Sequence, residues 1–255
     1  VFNVGLAATY SIDQTDEAFY WLGDDFAIYR AVAGRSERIS TDAISNEIGK
    51  YSRVDDAIGK TFTFEGQNFY SLTFPTGNKT FVLSESLGKK GWFELSSGTS
   101  NDRWQGNSVM DAYGKNYVAD INNGQIYELD LDTYTNNIQP LHRVRVTSNI
   151  DARAIGGSVG DAITMSSVTL SMETGVGLIS GQGENPRIMI EASFDGGRTF
   201  SAGTWAKVGR LGEFVLKVKW DNMKTFYDGM LRISSSDPVN YSIYGANITL
   251  KLAGK

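Results

Sequence analysis

Thr61-Phe62-Thr63-Phe64-Glu65-Gly66-Gln67-Asn68-Phe69-Tyr70-Ser71-Leu72-Thr73-Phe74-Pro75-Thr76-Gly77-Asn78-Lys79-Thr80-Phe81-Val82-Leu83 sets the fold. Aromatic, β-branched and aliphatic residues alternate with hydroxylated ones at a period of two, the signature of β-strands. Glu65-Gly66-Gln67 and Pro75-Thr76-Gly77-Asn78 interrupt the alternation with turn residues. The segment therefore reads as three antiparallel strands, and Gly91-Trp92-Phe93-Glu94-Leu95 supplies a fourth. Tyr70, Leu72 and Phe74 fall on one face, Ser71 and Thr73 on the other.

The same rhythm extends both ways. Upstream, Ala18-Phe19-Tyr20-Trp21-Leu22, a turn at Gly23-Asp24-Asp25, Phe26-Ala27-Ile28-Tyr29-Arg30 and a short Glu37-Arg38-Ile39-Ser40 strand form a first unit. It runs into Ser40-Thr41-Asp42-Ala43-Ile44-Ser45-Asn46-Glu47-Ile48-Gly49, the one stretch of helical period. Ser40 or Thr41 can cap its start, Asp42 suits the first-turn dipole, Ile44 and Ile48 share a face, and Gly49 can end it. A helix of two to three turns packed on a sheet is expected. Downstream, Ser108 to Tyr113, Lys115 to Ile121 and Gln125 to Leu131 make a third unit, with Tyr127, Leu129 and Leu131 on one face. Asn123-Gly124 predicts a type I′ turn with positive φ at both positions.

Groups of about four short strands, repeated roughly every 40–45 residues, are the pattern of β-propeller blades. The alternative is an irregular antiparallel meander. Three units fall short of the four to eight blades that close a propeller. The chain opens on Val1, and Val1-Phe2-Asn3-Val4-Gly5-Leu6 reads as part of a strand. The expectation is therefore a sequence that starts inside a longer polypeptide, with further blades upstream.

Beyond Asn136-Asn137-Ile138-Gln139-Pro140 the strands lengthen: Ile163 to Met172, Arg187 to Ser193, Glu213 to Trp220, Met230 to Ser234 and Tyr241 to Leu252. Val168, Leu170 and Met172 share a face. Phe214, Leu216, Val218 and Trp220 share another, opposite Lys217 and Lys219. One buried and one wet face suggests an antiparallel sandwich, and Gly175 to Asn185 reads as a long mobile hairpin loop. The expected fold class is all-β: blades over 1–137, then a β-sandwich over 138–255.

Composition bounds the chemistry. The 255 residues include 41% apolar and 12% aromatic residues, 28 glycines and 4 prolines, enough apolar mass for a full core with many tight turns. No apolar run approaches the length of a membrane span. With no cysteine there are no disulfides, thiolate metal sites or cysteine nucleophiles. A single histidine, His142, rules out multi-histidine metal sites and stands in an alternating stretch, Leu141 to Val146, where the polar face of a strand is its expected place. Charge divides unevenly: residues 1–137 carry 11 Lys and Arg against 19 Asp and Glu, residues 138–255 carry 13 against 10. That balance does not suit an autonomous DNA-binding domain.

The sharpest local motif is Ser193-Phe194-Asp195-Gly196-Gly197-Arg198-Thr199-Phe200, which fits the Asp-box pattern repeated at hairpins of sialidases and other propellers. Its logic is local: an Asp caps turn amides, glycines accept positive φ, and an aromatic tucks beneath. It reads as a hairpin staple without catalytic groups. The acidic pairs Asp24-Asp25, Asp55-Asp56 and Asp130 with Asp132 read as solvated turn or strand-face carboxylates, Asp130 and Asp132 on the polar face of a strand. Gly156-Gly157-Ser158-Val159-Gly160 matches neither a P-loop nor a dinucleotide fingerprint. Trp92, Trp104, Tyr134 and Trp205 could stack sugars or bases, with packing between sheets as the plainer expectation. The chain is expected not to be an enzyme, with no catalytic, cofactor or metal residues.

Trp21-Leu22-Gly23 with Ile28-Tyr29-Arg30, then Arg38 to Ile44 and its helix, resembles the later half of the packaged-DNA stabilisation proteins of short-tailed bacteriophages. Phe62 to Gly66, Phe81-Val82-Leu83, Gly91-Trp92-Phe93 and Gly124 to Asp130 continue the resemblance. Asp195-Gly196-Gly197 and Trp205-Ala206-Lys207-Val208-Gly209-Arg210-Leu211-Gly212 extend it to nearly the whole chain. The resemblance implies a propeller joined to a sandwich, assembled as a homo-oligomeric ring, a hexamer, in the tail hub or nozzle of the virion. Its implied partners are adaptor and portal proteins above and a tail needle or tip protein below. Packaged DNA would pass through the lumen without sequence-specific contact, and no membrane or cofactor is implied. The alternatives are a carbohydrate-binding or sialidase-like β-propeller protein and a nucleic-acid-binding module.

Overall fold

The computed structural model describes residues 3–98 and 100–253. The chain divides into two compact units, Val1–Leu131 and Asp132–Lys255. Among the described residues both are built of antiparallel strands, with one short α-helix and three 3₁₀ turns.

The first helical element of the first unit is a 3₁₀ turn at Thr9–Ser11, after the stretch Val1 to Leu6 that was expected to be part of a strand. Of Val1 to Leu6, the first two residues lie outside the described ones. The rest make only a single antiparallel bridge, between Leu6 and Gly23. A four-stranded sheet follows in chain order: β1 Asp13–Gln14, β2 Phe19–Leu22, β3 Ile28–Val32 and β4 Arg35–Arg38. Helix α1, Asp42–Ile48, is capped by the Thr41 hydroxyl, which accepts from the Ile44 amide at 3.3 Å. Ser40, the other candidate cap, is buried and accepts instead from the Ile28 amide at 3.0 Å. Asp42 pairs with Arg38 at the end of β4, and Ile48 is fully buried.

The second sheet carries the stretch quoted at the outset: β5 Ile58–Phe64, β6 Gln67–Phe74, β7 Lys79–Ser84 and β8 Trp92–Glu94, again in chain order. Each expected strand is present: β5, β6 and β7 are longer than expected where a neighbour continues the ladder, and β8 is shorter, losing Gly91 and Leu95. After a small ribbon, β9 Ser96–Ser97 with β10 Asp102–Arg103, comes a third sheet of β11 Gly106–Ala112, β12 Lys115–Asp120 and β13 Ile126–Leu129. It has three strands, and Leu131, expected on the inner face of its last strand, lies beyond the strand end and is 61% exposed.

The turn chemistry differs from expectation in an instructive way. At Asn123-Gly124 only Gly124 has positive φ; the Asp120 amide bonds the Gln125 carbonyl across a four-residue loop, and the Asp120 and Asn123 side chains accept from the amides two residues on. In the first unit the two-residue turns with positive φ at both positions are Ala33-Gly34, Glu65-Gly66 and Tyr113-Gly114, one in each of its three larger sheets. Their backbone twist matches that of the strands they join, and glycine at the second position carries much of the requirement.

One core fills the space between the first two sheets: Tyr20, Leu22, Ile28, Ile48, Leu72, Phe74, Phe81 and Leu83 among others. Tyr20 stacks on Tyr70 with ring centres 4.8 Å apart. The Tyr70 hydroxyl, wholly buried, donates to the Ser11 carbonyl at 2.6 Å, and burial pushes its pKa well above the usual range. Gly59 lies against the same carbonyl: a Cβ there would sit 2.1 Å from it. Ser71 and Thr73, on the opposite face of β6, are also buried, at 4% and 6% exposure. The Thr73 and Thr80 hydroxyls bond each other at 3.0 Å, and the Trp104 amide donates to Thr80 from the far side. The middle sheet is thus covered on both faces, one aromatic and one hydroxylic, as a sheet stacked between two others must be.

The second unit is a sandwich. It begins with a two-residue ribbon, β14 Thr135–Asn136 with β15 Gln139–Pro140, and then β16 Arg143–Val146 and β17 Ile150–Asp151. The remaining strands are β18 Ile163–Met172, β19 Arg187–Ser193, β20 Thr204–Lys207, β21 Val218–Asp221, β22 Thr225–Phe226, β23 Asp228–Ser235 and β24 Ile243–Leu252. One sheet runs β16-β23-β19-β20, with β17 also on β23; the other centres on β18, flanked by β21 and β22 on one side and β24 on the other. Ile163, Val168, Ile188, Ile190, Val218, Trp220, Leu231 and Ile233 form the core between them. The Trp220 indole donates to the Thr204 carbonyl at 2.9 Å, tying β21 to the edge of the opposite sheet.

Residues 213–217 are not strand: Phe214 is 71% exposed and Val215 fully so, because β18 offers pairing only from Val218 onward. Gly175 to Asn185 is not a hairpin loop, since β18 and β19 belong to different sheets. It crosses between them and is held by backbone bonds, Gly175 to Val208 and Gly212 to Gly175.

Candidate functional site

The Asp-box residues occupy the hairpin between β19 and β20. The Asp195 carboxylate accepts from the Arg198 amide at 2.9 Å, the Thr199 amide at 3.0 Å, the Thr199 hydroxyl at 2.6 Å and the Ser193 hydroxyl at 2.8 Å. The Thr199 hydroxyl and amide lead this set, and together they hold the carboxyl far below the usual carboxylate range. Gly196 and Gly197 take φ of 74° and 85°, and the Gly197 amide bonds Ser193 Oγ. Every acceptor position is spent on the turn itself, so Asp195 has no geometry for proton transfer. Phe200 packs beneath the Arg232 guanidinium, 4.0 Å from the ring centre, and Arg232 grips Glu191 through two bonds of 2.6 and 2.7 Å. The Arg232 bonds hold the Glu191 carboxyl below its ordinary range. The motif is a staple with a cation–π and ion-pair brace behind it.

The acidic pairs are used locally. Asp24 accepts from the Gly5 amide, while Asp25 accepts from the Ala27 amide and the Tyr29 hydroxyl. Asp55 pairs with Arg53, and Asp56 accepts from the amide and hydroxyl of Thr76. Asp130 and Asp132, expected on a strand face, lie past the end of β13. His142 stands half-buried just before β16 rather than within it, near enough to Glu191 for its charge to favour the carboxylate. Gly156 to Gly160 follows the 3₁₀ turn Ala152–Ile155, with Gly156 at φ 76° closing it and Ser158 bonding Asp161.

The aromatics separate into distinct roles. Trp92 packs on the first core and donates to the Ile39 carbonyl at 2.9 Å. Trp104 lies against Gly106. Tyr134 and Tyr241 flank Arg143, their ring centres 5.9 and 5.5 Å from its guanidinium carbon, and burial lowers the Arg143 pKa. Burial likewise pushes Tyr241 up to about 12. Trp205 is the exception, 55% exposed on β20 beside a cleft of about 430 Å³. Sequence reasoning did not foresee that cleft, because Ser201, Trp205, Asn222 and Lys224 come together only when the two sheets pack.

Among the described residues no cluster of three or more His, Asp or Glu side chains could hold a metal ion, and no helix is long and apolar enough to cross a membrane. What the first unit presents is stacked sheets with an acidic surface, and what the second presents is a braced sandwich.

Comparison with known proteins agrees with that architecture. A family model described as bacteriophage P22 Gp10, beta-propeller, matches residues 1–134, and one described as bacteriophage P22 Gp10, beta-sandwich, matches residues 158–251. No curated protein matches the chain. Similar solved structures include a glycoside hydrolase family 43 arabinoxylan arabinofuranohydrolase from Bacillus subtilis, with 8% identity and a TM-score of 0.29 over 94% of this chain and 53% of that one. They also include an exo-beta-1,3-galactanase from Phanerochaete chrysosporium, with 10% identity and a TM-score of 0.21 over 94% of this chain and 68% of that one. Scores this low carry no argument about fold or activity. The two family matches cover both units in order: the chain belongs to the bacteriophage P22 Gp10 family, structural components of the phage virion tail.

Proposed function

We propose that the chain is a subunit of a ring in the tail hub, or nozzle, below the portal, where it retains packaged DNA, conducts it on ejection and joins the adaptor to the tail tip. The observation that carries this reading is the family match over both units, propeller then sandwich. The working division is blades over 1–137 and sandwich over 138–255. A ring that holds DNA under pressure works through extensive, well-packed subunit interfaces rather than through a reactive centre. The excess of 19 acidic over 11 basic residues in 1–137 supports a lumen along which DNA slides, since phosphates are repelled rather than gripped.

Native mass spectrometry and electron microscopy of the purified chain test this, with closed rings of about six copies expected. Duplex DNA is expected not to bind even at low salt. A strict monomer at high concentration, or strongly salt-dependent DNA binding, would refute the ring and the sliding lumen respectively.

A further inference from the structure

The cleft beside Trp205 lies where the edge strand β20 meets the turn between β21 and β22. That turn is shaped by Asn222, held at φ 56° with its amide bonded to the Ser166 carbonyl at 3.0 Å. Phe194, Ser201, Trp205, Trp220, Asn222 and Lys224 are among the lining residues. Its volume of about 430 Å³ falls in the range of small-ligand sites, roughly 300–1,000 Å³. Lys219, also in the lining, is neutralised by Asp221 at 2.6 Å. Among the described residues Lys224 makes no ion pair, and the Asn222 carboxamide makes no hydrogen bond.

We propose that this cleft binds a saccharide carrying a carboxylate. An exposed indole offers the flat apolar face on which a pyranose ring stacks. The free Asn222 carboxamide supplies one donor and one acceptor in the spacing of sugar hydroxyls, and the Lys224 ammonium is a lone counter-charge for a single anion. The charge count decides against a nucleic acid: two lysines and one aspartate leave one net positive charge, where a phosphate backbone is held by a continuous basic track. The inference rests on residues of the second unit alone and does not depend on the ring reading; it gives the sandwich a binding role of its own.

The test is saturation-transfer NMR and calorimetry on the full chain with N-acetylneuraminic acid, glucuronic acid, glucose and a short single-stranded oligothymidylate. Both acidic sugars are expected to bind, about tenfold more tightly than glucose, a factor worth about 1.4 kcal/mol. Trp205→Ala weakens acidic and neutral sugars alike by about tenfold or more, as loss of a stacking surface does. Lys224→Gln, at an exposed side chain, removes the preference for acids and leaves glucose binding unchanged. The proposal is overturned if neither acidic sugar binds, if the preference survives Lys224→Gln, or if the oligonucleotide binds more tightly than the sugars.

Discussion

Replacing Gly59 with alanine should destabilise the first unit although strand propensity argues the other way. Alanine in place of a strand glycine ordinarily gains about 0.5–1 kcal/mol by restricting the unfolded chain. Here the added Cβ would lie 2.1 Å from the Ser11 carbonyl oxygen and 2.8 Å from the Tyr70 hydroxyl. Both neighbours are fixed, the first by the chain and the second by stacking on Tyr20, so the 3₁₀ turn must move away from β5. That displacement costs about 1–3 kcal/mol as overpacking and stretches the Tyr70–Ser11 hydrogen bond, worth about 1 kcal/mol. The net expectation is a loss of about 1.5–3 kcal/mol. Urea unfolding followed by fluorescence and circular dichroism measures it through the midpoint and slope. Tyr70→Phe alone should cost about 1–2 kcal/mol, because the buried Ser11 carbonyl loses its donor. The double variant should fall short of additivity by about 1 kcal/mol, since both changes break one bond. A neutral or stabilising Gly59→Ala, or strict additivity, would refute the close approach and the shared bond.

Arg232→Met should cost about 2 kcal/mol at pH 7, by leaving the Glu191 carboxylate, only 11% exposed, without its fork of donors. Because pairing lowers the Glu191 pKa, its stabilisation is full above the ordinary carboxylate range and is lost as pH falls through the lowered value. The difference between parent and variant in urea should therefore narrow at pH 3. Tyr113→Asn should raise stability by about 0.5–1 kcal/mol, since Tyr113 is 96% exposed and held at φ 54° where asparagine is the better residue; a lower thermal midpoint would contradict the turn geometry. Val215→Asp should change the denaturation midpoint by less than about 0.5 kcal/mol, whereas an inward-facing strand valine would lose far more.

Where neighbours in sequence are also neighbours in the sheet, the amino-acid sequence was explicit. The second sheet, the helix with its Thr41 cap, β18 and β19 all follow from local period and turn residues, and the Asp-box residues follow from side-chain chemistry within one hairpin. Two-residue strands such as Asp13–Gln14 and Thr225–Phe226 are too short to show any period. They exist because a longer strand offers an unpaired edge. Phe214 to Lys217 alternate as a strand should, but no partner reaches them, and periodicity cannot report a missing partner. Glu65-Gly66 was legible as a turn from its glycine, but Ala33-Gly34 and Tyr113-Gly114 were hidden because alanine and tyrosine precede the glycines rather than asparagine. The Trp205 cleft draws residues from segments that only packing unites.

The middle sheet of the first unit has one aromatic flank and one hydroxylic flank, and this difference works as an address. Tyr70, Leu72 and Phe74 fit the sheet that carries Tyr20, while Thr73 and Thr80 fit the segment that brings the Trp104 amide. Exchanging the neighbours would set hydroxyls against rings and leave the Trp104 amide without its Thr80 acceptor, at a cost of about 1–3 kcal/mol for the stranded group. The stack therefore has a direction as well as an order. Each flank accepts only its own neighbour, so the order of the sheets is written into the two faces of the middle one.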